Sequence, residues 1–425
     1  MMPEGPAGSV NPTPRLIRQA IRSALLPEPF TMARYRCSPY MGCEHGCVYC
    51  DGRAEKYYVE GSFDRDIVYR KNLPELLRKE LPRLREYGPL SISSGITDAY
   101  QPVEARLGIT RACAGILQHY RIPVTVLTKS SLAERDIDLW RKVQDQSSFL
   151  LLMTITTLDE EIASVFEPGA SSVASRLQTL ERFKAAGCSV GVLAMPLMPG
   201  ISDSEDDLRK LYSRLQQIGV DCIIPGGLTL RPGRQKKVFF ESLNLYEGQS
   251  PHCSSRTGGQ SPVGCELGEW YARLYGNELQ SGSSIPEYRR MLAGRFRQMV
   301  EEFHCAPFIP HAVYRHHLNQ ADELYMLLHQ MDEWYSRAGA DTSRLQQSLA
   351  SYTEWLLRQK KAMGSTRGSG PTHNMREMIN GAVRDGTLQR VIGNGKLFGF
   401  LMEVMQEQRI FAPYAERIQG ESLGR

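Results

Sequence analysis

The chain has 425 residues, 41% apolar and 23% charged, with a formal net charge of +4. That length allows two or three domains around a sizeable core, and the small net charge neither demands nor excludes a nucleic-acid partner. The longest clearly apolar block, 149–153, is far too short to span a membrane, and the Pro/Gly-rich start lacks the apolar core of a signal peptide. The expected compartment is cytoplasmic, where the ten cysteines stand as thiols or metal ligands rather than disulfides.

In chain order, residues 1–14 read as a flexible tail and 16–26 as a short amphipathic helix with Leu16, Ala20, Ile21 and Leu25 on one side. From residue 30 onward β-prone runs alternate with helical ones. Strands are expected near 30–36, 90–94, 124–128, 149–154, 189–194 and 222–230, with helices over 74–87, 105–120, 133–143, 172–186 and 203–218. Val173, Leu177, Leu180 and Phe183, and then Leu208, Leu211, Leu215 and Ile218, repeat at helical spacing, and Gly187 and Gly219 stand where C-cap glycines do. Six strands alternating with helices imply an α/β fold with a parallel sheet. Ligands of such sheets collect at the strands' C-terminal ends.

After Arg231 the pattern changes. Residues 247–285 are rich in Gly, Ser and Pro and read as a long loop; 292–303, 323–336 and 342–361 read as helices; 364–371 reads as a linker. A last unit, 374–416, is mainly helical with a turn at Gly393-Asn394-Gly395. The expected organisation is therefore a tail and short helix at 1–29, a β/α unit at 30–245, a loop-rich cover with helical extension at 246–363, and a small helical unit at 372–425.

The chemistry concentrates in Tyr40-Met41-Gly42-Cys43-Glu44-His45-Gly46-Cys47-Val48-Tyr49-Cys50. Three thiols at C-x3-C-x2-C spacing suit one metal centre, either an iron–sulfur cluster or zinc with a fourth ligand elsewhere. Three cysteines leave one iron of a four-iron cluster open to a small molecule. Gly42 and Gly46 let the loop fold tightly. The loop follows the first strand, and later polar segments also follow strands, so all can converge on one site.

The cysteine spacing with Tyr49 before the last thiol resembles the radical SAM signature. Its flanks, Ser38-Pro39-Tyr40 and His45, resemble the branch related to spore photoproduct lyase, described as DNA-repair-photolyase-like. The likeness continues through Thr97–Glu104, Leu127-Thr128-Lys129, Thr154–Thr157, Glu167-Pro168-Gly169-Ala170-Ser171 and Met195–Gly200, covering about 30–230. The resemblance implies a partial (β/α)6 barrel with a mainly helical C-terminal region. It also implies a 4Fe-4S cluster on Cys43, Cys47 and Cys50 and an S-adenosylmethionine bound at the open iron. Reductive cleavage of that cofactor would give a 5'-deoxyadenosyl radical that abstracts hydrogen from a substrate the sequence does not identify. Implied partners are that substrate, with nucleic acid among the candidates, and an electron donor such as flavodoxin or ferredoxin.

Cofactor contacts are expected from Tyr49 at the adenine, from Thr97, Asp98 and Gln101 after the second strand, and from Thr128 and Lys129 after the third. Thr156 follows the fourth strand, Arg176 lies in the next helix opposite the methionyl carboxylate, and Met198 follows the fifth. No catalytic residue beyond the cluster is assigned. His45 reads as a loop hydrogen bonder rather than a ligand. Arg231, Arg234, Lys236 and Lys237 form a basic run that either holds phosphate or stands solvated. Cys253, Cys265 and Cys305, near His252 and His304, read as free thiols or a second metal site. Spore photoproduct lyase carries a donor cysteine just before the post-second-strand Asp, where this chain has Gly95 or its neighbours; related proteins often carry one between the Asp and the Tyr, where this chain has Ala99, and 91–100 contains no cysteine. Photoproduct repair is therefore not the favoured activity. The competing class is a non-catalytic zinc- or iron–sulfur-binding module of a nucleic-acid-associated protein.

Overall fold

The structure is a computed structural model and describes residues 11–57, 61–84, 86–92, 95–249, 267–276, 279–315, 317–364 and 371–414. The strands in chain order are β1 (Thr13–Arg15), β2 (Arg22–Ser23), β3 (Tyr35–Arg36), β4 (Tyr40–Met41), β5 (Val68–Arg70), β6 (Leu90–Ser91), β7 (Val124–Thr128), β8 (Phe149–Thr154), β9 (Ser189–Leu197) and β10 (Cys222–Gly227). Seven of them make one sheet in the order β10-β9-β8-β7-β6-β3-β2. From β3 to β10 neighbours are parallel and follow the chain; β2 closes the other edge antiparallel. This is the open (β/α)6 arrangement expected. A smaller sheet, β1-β5-β4, stands beside it.

Side chains on the two faces of the sheet enter two different cores. All six residues of β8, Phe-Leu-Leu-Leu-Met-Thr, are buried, as a strand covered on both faces requires. Phe149, Leu151 and Met153 join Val190, Val192, Trp140, Leu180 and Phe183 under the outer helices. Leu150 and Leu152 point the other way, to Leu193, Cys222 and Ile224, and meet the C-terminal helices there. The helix Gln320–Arg337 is buried continuously from Ala321 to Leu328. Its buried acids Asp322 and Glu323 are paired with Lys360 and His311, and Leu324, Leu327 and Leu328 share a core with Tyr352, Ile379 and Leu401. The C-terminal helices thus pack against the sheet's inner face. Four charges tie the two together: Lys360 Nζ lies 2.7 Å from Asp322 Oδ1 and 2.8 Å from Glu86 Oε2, which also takes Arg34 at 2.8 Å.

Several expected elements differ. No helix forms over 16–26. The amide of Ile17 donates to Asn72 Oδ1, and those of Ala20 and Ile21 donate to the Glu80 carboxylate. These partners from the helix Leu73–Glu80 outcompete local helical bonding, and they bury Ala20 and Ile21 while Leu16 stays in solvent. The strand expected over 30–36 is only β3. The helix expected over 105–120 is two, Glu104–Leu107 and Ile109–His119, divided at left-handed Gly108. The helix entered at Leu73 tightens into a 3-10 turn at Leu81–Arg83, where Pro82 removes a backbone donor. Within the loop expected over 247–285, Leu267–Tyr275 is helical, and its Tyr271 and Tyr275 enter an aromatic core with Phe239 and Tyr288. Cys253, Cys265 and His252 lie outside the described residues, as does most of the expected 364–371 linker. Cys305 is a free, half-buried thiol.

Candidate active site

The cysteine loop begins at β4 and is gripped from three sides. On the first, the Cys43 amide donates to Phe63 O at 2.9 Å, and Gly42 holds a φ of 76° in close contact with that same carbonyl. The second grip comes from the segment after β6. Thr97 Oγ1 donates to Gly42 O at 2.6 Å, while Gln101 accepts the Glu44 amide at 2.8 Å and donates to Gly42 O at 3.3 Å. Gln101 is fully buried, so its amide acts as a two-ended clamp. The third grip is the 166–169 segment. Val48 N donates to Phe166 O and Gly169 N to His45 O. A Cβ on Gly169 would stand 2.3 Å from Glu44 O and 2.9 Å from His45 Cα, so only glycine permits this approach.

Arg53, just past the last thiol, folds back over the loop. Its Nε donates to Cys47 O and its Nη2 to Gly46 O and Asp64 Oδ2. The exit of the loop is tied to the segment and helix that follow β10: Gln235 Nε2 donates to Tyr49 O and Asp51 Oδ1, and Arg231 pairs with Asp51 Oδ2 at 3.1 Å. The basic run is thus divided. Arg231 serves the loop, Lys236 reaches Tyr275 O, and Lys237 lies 3.9 Å from Glu241.

Two polar centres lie under the loop. Asp98 accepts from Tyr100 N, Thr128 Oγ1 and Lys129 N, and its Oδ2 is 3.3 Å from His45 Nδ1. Burial alone would raise its pKa, but His45 and these donors hold it below the ordinary carboxylate value. The second centre is Glu167. Tyr49 OH and Thr156 Oγ1 donate to its Oε1, and Arg176 Nη2 lies 2.6 Å from its Oε2. Arg176 also donates to Thr154 O at 2.9 Å, while its Nε is buried without a partner. Burial pushes Glu167 up as well, yet Arg176 and Lys129 outweigh it and keep the carboxyl ionised.

The nine side chains expected at a cofactor therefore gather round one loop, although most of their polar atoms already bond to protein. Thr97 and Gln101 hold Gly42, Asp98 and Thr128 hold His45 and the β7 end, and Tyr49, Thr156 and Arg176 meet at Glu167. Met198 belongs to the same buried apolar cluster as Cys47, Val48 and Tyr49. Lys129 differs: its Nζ sits 5.6 Å from the Tyr49 ring centre and makes no ion pair among the described residues. Desolvation lowers its pKa, but Cys47, Glu167 and Cys50 raise it further, so the ammonium stays charged. Glu167, Arg53 and Gln235 were not expected. The Glu167-Pro168-Gly169 run marked the first; nothing in the sequence marked the other two.

All three thiols titrate above an ordinary cysteine. Burial is the main cause at each, pushing Cys47 to about 12; Lys129 opposes it at Cys47 and Cys50. Among the described residues no three His, Cys, Asp or Glu side chains close on a point as they would round a single ion. A cubane instead offers its irons at separate corners, so its thiolates stand farther apart. One loop presenting three soft donors, with a free cation beside two of them, fits a cluster with a negative thiolate set.

The model of the radical SAM superfamily matches residues 37–212. An uncharacterized protein of Mycobacterium tuberculosis is 30% identical over 205 residues, 47% of this chain; this chain spans only 59% of that relative's length. An uncharacterized protein of Acidianus two-tailed virus is 30% identical over 221 residues, covering 48% of this chain and 69% of the relative. A radical SAM Nalpha-GlyT isomerase of Pseudomonas phage M6 is 25% identical over 189 residues, 44% of this chain and 38% of the isomerase. Among solved structures, a spore photoproduct lyase variant with bound AdoMet and dinucleoside spore photoproduct has a TM-score of 0.45 and 14% identity, covering 68% of this chain and 78% of the other. Residues 37–212 thus form a domain of the radical SAM superfamily, whose cofactors are a 4Fe-4S cluster and S-adenosylmethionine.

Proposed function

We propose that the protein is a radical SAM enzyme in which Cys43, Cys47 and Cys50 hold the cluster. When bound, the cluster and S-adenosylmethionine supply reductive carbon–sulfur cleavage and a 5'-deoxyadenosyl radical for hydrogen abstraction. The observation that carries this reading is the unpaired Lys129 ammonium over the Tyr49 ring, beside two of the three loop thiols. Lys129 offsets thiolate charge and is a free donor for a carboxylate or ribose. Glu167 and Arg176 set the Tyr49 ring, Thr97 and Gln101 fix the loop's backbone, and Asp98 holds the His45 side chain, so these groups are positioned before any ligand arrives. The buried surroundings keep water from the reacting centre. With Gly95 and Ala99 after β6 and no cysteine described there, the protein lacks at that place a thiol able to return hydrogen to a product radical, which favours a substrate other than a thymine photoproduct.

The test is direct. The protein is reconstituted without oxygen with iron and sulfide, given dithionite and S-adenosylmethionine, and assayed for 5'-deoxyadenosine. Cleavage is expected, and Ala at any one of Cys43, Cys47 or Cys50 should abolish it. Tightly held zinc with no cluster absorbance would refute the reading in favour of a non-catalytic metal module. Deuterium transfer from a labelled candidate into 5'-deoxyadenosine would then identify the substrate.

A further inference from the structure

Two strand pairings set arginine against arginine. Arg15 of β1 stands opposite Arg70 of β5, and Arg22 of β2 stands opposite Arg36 of β3. Like charges directly opposite weaken a sheet, so this register works against the fold. Nearby acids do little to offset it. Glu28 reaches Arg36 only at 3.6 Å, and Glu80 is engaged by the amides of Ala20 and Ile21. Among the described residues Arg15, Arg22 and Arg70 make no ion pair. Arg70 Nε is buried without a partner, and burial together with Arg22 and Arg15 lowers the pKa of that guanidinium. Arg15, Arg22 and Arg36 are exposed.

The location of these arginines matters. Arg15 Nη1 donates to Met41 Sδ at 3.5 Å, and Met41 closes β4 two residues before Cys43. The arginine face therefore joins the loop at its entry strand. Lys129, Thr156 and Arg176 meet it elsewhere, at the C-terminal ends of the central strands, where a substrate must reach the cofactor. A partner seated on the arginines approaches the cluster without occupying that mouth.

We propose that Arg15, Arg22, Arg36 and Arg70 form the docking surface for an acidic one-electron donor protein, an inference that rests on the function proposed above. In the step served, the donor loses one electron and the cluster gains it; no bond forms or breaks and no proton is transferred. Guanidiniums on the edge strands β1 and β2 and on their neighbours β5 and β3 recognise carboxylates by complementary charge and speed encounter rather than bury area. A nucleic-acid backbone would also satisfy the charge, but as substrate it would have to reach the ends of the central strands β7 and β8 rather than the sheet's edge at β2 and β3.

Flavodoxin is the probe. Oxidised flavodoxin is titrated into the full chain without cluster, at low and at high ionic strength. The variant combining Arg15→Gln, Arg22→Gln and Arg70→Gln should bind about tenfold more weakly at low salt and show a flatter salt dependence. In cluster-loaded protein, flavodoxin-supported cleavage of S-adenosylmethionine should fall with it, while dithionite-supported cleavage stays unchanged. Wild-type-like flavodoxin binding by the variant would overturn the proposal. So would loss of single-stranded oligonucleotide binding with flavodoxin binding intact, which would assign the face to nucleic acid. Absence of cleavage even with dithionite would count against the parent function alone, and the cluster-free titration would still decide the docking. If the triple variant does not fold, Arg22→Gln alone, on an exposed two-residue strand, carries the same titration with an expected loss of about threefold.

Discussion

Glu167 and Arg176 form an ion pair sealed beneath Tyr49, with Nη2 2.6 Å from Oε2 and neither side chain more than 1% exposed. The pair is anchored at both ends, Glu167 by Tyr49 and Thr156 and Arg176 by Thr154 O. Removing one member strands a buried charge, whereas replacing both with neutral side chains of similar size leaves no charge buried. Arg176→Met should therefore destabilise the cluster-free protein by about 3–5 kcal/mol, and Arg176→Met combined with Glu167→Gln by clearly less. Urea unfolding of the four proteins in this cycle measures the coupling; additive losses would disprove it.

The same pair sets an acid limit. Burial works against ionised Glu167, but Arg176, Lys129 and the Tyr49 hydroxyl together leave its folded pKa below the ordinary value. A depressed carboxyl contributes stability above the unfolded pKa of about 4.3, and that contribution is lost as pH falls through the folded value. Glu167→Gln should thus be markedly less stable than wild type at neutral pH, with the gap narrowing in acid. Unfolding free energies of cluster-free protein across the acid range would show the two curves converging; parallel curves would mean that Glu167 is neutral in the fold.

Much of this was legible because hydrophobic pattern and turn chemistry act locally. Buried β8, the outer stripe of Leu208, Leu211 and Leu215, and Gly187 and Gly219 at left-handed helix ends all follow from nearest neighbours in the chain. Sequence misleads where a distant side chain decides. Asn72 and Glu80 turn an amphipathic stretch at 16–26 into extended chain, and no pattern within that stretch announces them. The site shows the same division. The thiols announce themselves by spacing, but Arg53 and Gln235 act through loop carbonyls, a role any long polar residue could have filled. Glu167 stood in a recognisable Glu-Pro-Gly run, yet its partner Arg176 could be placed against it only in three dimensions.

Gly169 offers a test of the loop's fit. Its missing Cβ would fall against Glu44 O and His45 Cα, which are backbone and cannot swing aside. Gly169→Ala should cost about 1–3 kcal/mol through overpacking and lower the iron retained after reconstitution. Gly115→Ala is the control: it lies within the helix Ile109–His119 with nothing near its Cβ position, so it should be neutral or slightly stabilising. Equal iron content in the two variants would show that the Gly169 contact does not shape the thiol loop.

Lys360 tests whether the C-terminal helices belong to the same cooperative unit as the sheet. Its ammonium is fully buried between Asp322 Oδ1 and Glu86 Oε2, and Arg34 completes the group from β3's approach. Burial raises the Asp322 carboxyl, with Lys360 and Arg34 opposing the rise. Lys360→Met would leave Asp322 facing Glu86 with only Arg34 between them. The expected loss is about 3–5 kcal/mol, partly recovered by adding Asp322→Asn, since a neutral side chain no longer needs the cation. Because Leu150 and Leu193 share a core with Leu324 and Leu401, the variant should still unfold in one transition, at lower denaturant. Two separated transitions, with the barrel thiols protected through the first, would instead mean that the helical region docks on the sheet as an independent body.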